Sequence, residues 1–372
     1  MRFLILDTDY PAFLDWLYAD NPALDKKPFD EQAQVHTEAC FGLAGFCVTN
    51  LRALGHEAHE ICINNQYMQK RWAREQGMQI ADTDWEFRFR RGIIPWILRI
   101  NKGRWIYEIL AAQIRQYRPD IILNLAMDGI SSAFLQEMKS YTRLLVGQTA
   151  APLPQGEKWS VYDLVISSLP NFVEFFRRLG VRSELNRLAF EPSVLEKLNN
   201  PKQNILVSFV GSFTSSHSKR DQLLERLCAT LPIKIWGIGI ERVRPESPIR
   251  SCYMGAAWGI DMFRTLAASK MVINYHSDIS QSYANNMRLF EATGTGSLLI
   301  TDSKDNLHEM FEPGKEVITY RSSDECVELA QYYLEHEEER AAIARSGQLR
   351  TLTSHTYVQR MGDLCQIISK YL

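Results

Sequence analysis

The chain has 372 residues, 45% of them apolar and 23% charged, with a formal net charge of −2, the balance of a folded globular protein. At roughly one domain per 150 residues the length predicts two domains, and a net charge this small gives no reason to expect nucleic-acid binding. No apolar run reaches the ~18 residues of a membrane span, the opening Met1-Arg2-Phe3-Leu4-Ile5-Leu6-Asp7 reads as a strand rather than a secretory leader, and seven scattered cysteines without a Cys-x-x-Cys pair suit reduced thiols in a cytoplasmic protein.

Strand-type and helix-type segments then alternate. A short apolar run at Arg2–Leu6 gives way to Asp7-Thr8-Asp9, and a long irregular stretch follows. Ala39–Leu54 has helical spacing and stops at Gly55, a C-terminal cap. Ala58–Ile63 reads as a strand, Ile106–Tyr117 as a helix, Ile121–Leu125 as a buried strand, and Leu144–Gly147 and Leu164–Ser167 as two more. Asn171–Leu179 is a helix capped by Gly180. Strands separated by helices predict right-handed crossovers and a mostly parallel sheet. Between Glu86 and Arg118 eight Lys/Arg face two Glu, interleaved with Phe89, Trp96 and Trp105. Such a stretch can rest on an anionic membrane surface at the inner face of the membrane. A solvated face with a homo-oligomer contact is the plainer reading, because Pro95 and Gly103 interrupt any single long helix.

The polar segment 198–204 reads as an interdomain linker. Beyond it the pattern predicts strand Ile205–Val210, helix Lys219–Thr230, strand Ile233–Trp236, helix Ile260–Ala268, strand Met271–Asn274, a short helix over 285–293, strand Leu298–Thr301, strand Val317–Thr319, and helices Ser323–Glu335 and Glu337–Thr351. Tyr357–Tyr371 is a final amphipathic segment. The expected fold is α/β, with two Rossmann-like domains whose parallel sheets face a central cleft: 1–198, 199–355, and a terminal helix over 356–372 crossing back to the first. Ligands in such sheets sit at the C-terminal strand ends.

Three places at those ends carry polar chemistry. The strand ending at Val210 runs into Gly211-Ser212 and a hydroxyl-rich loop with His217, then a helix opening with Lys219 and Arg220. Glycine permits close backbone approach, and a helix start with two cations is an anion site. It has neither the Walker A spacing nor Gly-x-Gly-x-x-Gly. The strand ending at Asn274 continues into Tyr275-His276-Ser277-Asp278, where His276 can touch a sugar or phosphate. In Asn285-Asn286-Met287-Arg288-Leu289-Phe290-Glu291, the residues Asn285, Arg288 and Glu291 are three apart and share a helix face. A cation and a carboxylate on one edge suit a ligand with phosphate and hydroxyl groups, such as a nucleotide-sugar. No His-x-x-x-His or dense carboxylate cluster occurs; Asp7-Thr8-Asp9 and Asp82-Thr83-Asp84 read as loop residues, so no metal and no cofactor is expected.

Asn286-Met287-Arg288-Leu289-Phe290-Glu291-Ala292-Thr293-Gly294, the strand to Thr301-Asp302, and Leu307-His308-Glu309-Met310-Phe311-Glu312-Pro313-Gly314-Lys315-Glu316-Val317 resemble the C-terminal domain of bacterial GT-B glycosyltransferases, in the group related to spore-maturation-type enzymes. The tail, with Tyr332-Tyr333-Leu334, Gly347 and His355-Thr356-Tyr357, looks like the same group; residues 1–200 match in architecture only. The resemblance implies metal-independent sugar transfer from a UDP-, GDP- or dTDP-sugar to a glycan, lipid-linked, protein or small-molecule acceptor, as in polysaccharide biosynthesis. It implies that Gly211 and Ser212 face the donor, that Arg220 neutralises the leaving diphosphate, and that Glu291 grips the ribose hydroxyls. Arg288 would hold phosphate or Glu291. Many retaining members carry a second Glu eight residues before the position of Glu291; here it is Tyr283, so retention or inversion stays open. Inversion needs a general base, and Asp9, His36 and Asp128 are the candidates. A nucleotide-sugar 2-epimerase and a non-catalytic nucleotide-sugar-binding protein are the alternatives on the same fold.

Overall fold

A computed structural model of the chain describes residues 1–80, 84–90, 94–100, 104–199, 201–213 and 218–372. It divides into two compact units, one of Met1–Gln148, Leu153–Val165 and Tyr371–Leu372, the other of Thr149–Pro152 and Ile166–Lys370. The strands are β1 Arg2–Asp7, β2 Glu57–Cys62, β3 Asp84–Arg90, β4 Ile94–Ile100, β5 Ile121–Asn124, β6 Leu144–Gln148, β7 Leu164–Ser167, β8 Ser183–Leu185, β9 Ile205–Val210, β10 Ile233–Trp236, β11 Ser269–Asn274, β12 Leu298–Asp302 and β13 Ile318–Tyr320.

The first sheet has the order β2-β1-β5-β6-β7-β8, and β1 runs parallel to both β2 and β5. The second has the order β10-β9-β11-β12-β13, with every neighbouring pair parallel. In both sheets the chain places its second strand on one side of its first and the later strands on the other. The order therefore reverses between β1 and β5, and again between β9 and β11, and a crevice opens where two crossovers leave in opposite directions. The central strands β5, β6, β7, β11 and β12 are buried on both faces, which is why they read in sequence as continuous apolar runs rather than alternating ones. Val207, Phe209, Ile233, Ile235, Met271, Ile273, Leu298 and Ile300 join Leu223, Leu224 and Leu227 of the helix Ser218–Thr230 in one core. Each such side chain contributes about 1.5–3 kcal/mol on burial.

The predicted strands recur within a residue or two. The segment expected to be irregular does not: it folds into helices Pro11–Asp20 and Phe29–Glu38. The second of these buries Gln32 and His36 rather than a hydrophobic stripe, so its inward face carries no apolar periodicity to detect. The helix expected over Ala39–Leu54 is correspondingly shorter, Ala44–Ala53. Helices Gln66–Glu75 and Ser132–Met138 are further elements beyond those expected.

The basic segment carries a two-stranded antiparallel sheet, β3 with β4, and helix Arg104–Tyr117; residues 91–93 and 101–103 fall outside the described ones. Trp105 is buried against Ala73 and Ile109, an aromatic committed to a core. In the second unit the terminal helix Tyr357–Ser369 is anchored at its start, where Phe190 donates to the His355 carbonyl and accepts from the Tyr357 N–H. Gly294 makes room for this junction, since a Cβ there would lie 2.5 Å from the Phe190 ring.

Candidate functional site

The reversal point of the second sheet lies between the ends of β9 and β11, and the polar residues gather there. Beyond β9, Gly211 donates its N–H to the Trp236 carbonyl and Phe213 donates to Ile238 at 2.7 Å. The two loops touch: a Cβ on Gly237 would stand 1.9 Å from the Gly211 carbonyl oxygen, and one on Gly239 2.2 Å from that of Phe213. A Cβ on Gly211 would itself meet the Phe209 ring at 2.8 Å. The demand for glycine at 211 thus comes from the ring beneath it, and the Gly211 N–H is spent on the neighbouring loop. Ser212 is half-buried beside it. His217 lies outside the described residues.

Arg220, in the first turn of helix Ser218–Thr230, is only 4% exposed. Its guanidinium carbon is 5.6 Å from the Phe209 ring centroid and 5.4 Å from that of Phe213, and Asp221 Oδ1 accepts from Nη2 at 3.1 Å and from Nε at 3.3 Å. Burial pulls its pKa down, against the opposing pull of Asp221. The cation is held by two ring faces and one carboxylate, a desolvated arrangement in which its field is strong.

Beyond β11, His276 is fully buried. Its Nδ1 is 2.6 Å from Asp302 Oδ1, and its backbone N–H donates to the same oxygen at 3.0 Å. A carboxylate on Nδ1 fixes the tautomer with that proton inward, and Nε2 is left buried with no hydrogen-bond partner. Desolvation pushes the Asp302 carboxyl up, but the His276 bond, the His276 charge and Lys304 outweigh it and hold it below the usual range. Tyr275 belongs to the same neighbourhood: burial and the charges of Asp278 and Asp302 push its phenol up, and the Arg220 charge works the other way.

The helix opening this region runs Met287–Gly294, so Asn285 precedes it and does not share its face with Arg288 and Glu291 as the spacing predicted. Asn286 is the N-cap: its Oδ1 accepts from the Leu289 N–H at 3.2 Å, while its Nδ2 donates to Asn274 Oδ1 at 2.8 Å. Its side chain is committed at both ends. Arg288 Nη1 meets Glu291 Oε2 at 2.7 Å, with side-chain exposures of 14% and 6%. Burial raises the Glu291 pKa and Arg288 opposes the rise. Arg288 Nε has no hydrogen-bond partner.

In the first unit Asp128 is exposed in the turn after β5, and a Cβ on its neighbour Gly129 would touch the Thr8 methyl at 3.4 Å. The turn thus stands at the reversal point between β1 and β5. His36 is buried, with Nε2 2.5 Å from Asp9 Oδ2 and Nδ1 3.8 Å from Glu60 Oε1. Both nitrogens face carboxylates, which leaves none to face a hydroxyl. Burial pulls the His36 pKa down, but the Asp9 bond and the Glu60, Asp9 and Asp7 charges overcome it and leave it at about 9. Sequence reasoning did not single out Asn274, Tyr275 and Asp302, which the structure brings to Asn286, Arg220 and His276. The available signal was their place directly at the ends of apolar runs.

A family model described as glycosyl transferase-like matches residues 219–366. No curated protein matches the sequence. Among solved structures, HepE from Anabaena in complex with UDP-glucose is similar at 12% identity over all of both chains, with a TM-score of 0.59. Sucrose-phosphate synthase from Thermosynechococcus elongatus is 9% identical over all of this chain and 99% of its own, with a TM-score of 0.57. A UDP-forming α,α-trehalose-phosphate synthase from Burkholderia vietnamiensis is 10% identical over 100% and 99% of the two chains, with a TM-score of 0.53. These likenesses establish the fold, α/β with two parallel-sheet domains of GT-B type.

Proposed function

We propose that the chain is a glycosyltransferase that takes a nucleoside-diphosphate sugar at the C-terminal strand ends of its second sheet, in the group related to spore-maturation-type enzymes. The observation that carries this is the gathering of a buried cation, an orphaned imidazole nitrogen and a buried carboxylate paired with Arg288 around the β9/β11 reversal point. Cleavage of the sugar–phosphate bond builds negative charge on the leaving diphosphate, and preorganised donors lower that barrier most. Arg220 supplies the positive charge that offsets it, with Nη1 as the nitrogen that Asp221 does not engage. His276 Nε2 accepts from a sugar hydroxyl or, in the imidazolium form, donates to a phosphate oxygen, and Glu291 accepts from the ribose hydroxyls while Arg288 orients it. Asp128, the exposed candidate, is assigned as the base for the acceptor hydroxyl. A uridine donor is the first to test, since HepE binds UDP-glucose and the trehalose-phosphate synthase forms UDP.

The test is a thermal-shift screen of the full chain against UDP, GDP, dTDP and their sugars. One nucleotide should stabilise it, and the matching sugar should be turned over by wild type but not by Arg220→Ala or Glu291→Ala. Absence of stabilisation by every diphosphate would refute the donor site. NMR of the donor pool showing an epimerised sugar with no acceptor present would replace transfer by epimerisation.

A further inference from the structure

Away from that site, three side chains converge at the C-terminal edge of the first sheet. Asp9 follows β1, Cys62 ends β2, and His36 comes from helix Phe29–Glu38. Asp9 Oδ2 is 2.5 Å from His36 Nε2 and accepts from Cys62 Sγ at 3.0 Å. The three ligating atoms all lie within 4.8 Å of one another, and all three residues are buried. Tetrahedral zinc with bonds of about 2.0–2.3 Å places its ligands roughly 3.3–3.8 Å apart, a spacing this trio reaches by small side-chain movements once protons no longer bridge it.

The surroundings are those of a metal centre. Glu60 stands 3.8 Å behind His36 Nδ1, the carboxylate that orients a ligating imidazole through its other nitrogen. Asn64 secures the Asp9 backbone by two hydrogen bonds, Nδ2 to its carbonyl at 2.7 Å and Oδ1 from its N–H at 3.0 Å. The same Oδ1, 3.3 Å from Cys62 Sγ, offers an oxygen for a fourth position. A nucleophilic thiol would require the imidazole on the sulfur; here the Asp9 carboxylate oxygen lies between them, and both the imidazole and the thiol are directed at it. The carboxyls of Asp7, Asp9 and Glu60 and the thiol of Cys62 surround a single imidazole, an excess of buried acid that a divalent cation offsets.

We propose that Asp9, His36 and Cys62 bind one zinc ion that ties helix Phe29–Glu38 to the ends of β1 and β2. Binding displaces the Cys62 thiol proton and the proton shared by His36 and Asp9, both released to solvent as the metal takes the thiolate, imidazole and carboxylate. Nitrogen, oxygen and sulfur together favour zinc over magnesium or calcium.

The experiment uses the full chain and needs no sugar nucleotide, so its failure is separate from failure of the donor reading. Chelated, dialysed protein is titrated with cobalt(II), and the sulfur-to-cobalt charge-transfer band is followed, with zinc displacing it. One equivalent should bind, the band should persist in Cys228→Ser/Cys252→Ser, and it should vanish in Cys62→Ser. Zinc should raise the Tm of chelated wild type by several degrees. The absence of a thiolate band in folded wild type, or its survival in Cys62→Ser, overturns the site. If Cys62→Ser does not fold, an unchanged wild-type Tm on adding zinc overturns it instead.

Discussion

Arg220 is costly to the fold, and under the proposed donor role the same desolvation strengthens its charge. Removing a guanidinium from water costs several kcal/mol; Asp221 and the Phe209 and Phe213 faces offset part of this, each ring by about 0.5–2 kcal/mol. Arg220→Lys keeps the charge but loses the planar fork between two rings, and it should lower kcat about 100-fold or more, as removal of a transition-state donor does, and lower the Tm by a few degrees as the ring contacts are lost. Steady-state kinetics beside a melting curve checks both halves. The Arg288–Glu291 pair behaves differently because Glu291 is buried and Arg288, 14% exposed, covers it. Arg288→Met alone strands a carboxylate in the interior and should cost about 3 kcal/mol in urea unfolding. Adding Glu291→Gln should recover more than half of that loss, and simple additivity of the two single losses would contradict the coupling.

At the scale of elements, one short polar chain fixes the candidate site. Asn286 caps its helix, donates to Asn274 on β11, and Asn274 Nδ2 donates to Thr301 Oγ1 on β12 at 2.9 Å. Three elements are thereby held in register next to Glu291. Asn286→Asp retains the cap but loses the donor to Asn274, whereas Asn286→Ala loses both. The alanine variant should therefore lose about 1 kcal/mol more stability than the aspartate one, measurable by urea denaturation. The helix Phe29–Glu38 gives the opposite lesson in legibility. Its inward face carries Gln32 and His36, which bond to Tyr18 and Asp9, 14 and 27 positions away. Only partners distant in sequence make such a face belong inside, so no periodicity in the chain could have announced it.

For the whole molecule, acid stability should depend on His355. Burial pulls its pKa down, the Met310 carbonyl opposes this, and Arg360, Arg350 and Arg187 push it down again, to about 4. The folded state thus binds its proton less readily than the unfolded chain, whose ordinary value is near 6.5. The contribution is complete above pH ~6.5 and is lost as pH falls towards 4, by at most about 3 kcal/mol. His355→Gln should flatten the stability profile between those values, read by urea midpoints from pH 4 to 7. A bound nucleotide at 100 times its Kd should add about 2.7 kcal/mol, and melting curves with and without the ligand measure it.

By itself the sequence determined the alternation of strands and helices, the parallel sheets that follow from it, and the strand ends at Val210, Asn274 and Thr301 where polar residues begin. These features are local: continuous apolar runs and caps are readable within a few residues, because hydrophobic burial and helix termination act over that distance. Tertiary structure alone decided which polar groups meet. Asp302 reaches His276 across 26 positions, and Asp9, His36 and Cys62 come from three separate elements. Strand order sets those encounters, and strand order is a product of packing two-sided sheets and right-handed crossovers rather than of any one segment's composition.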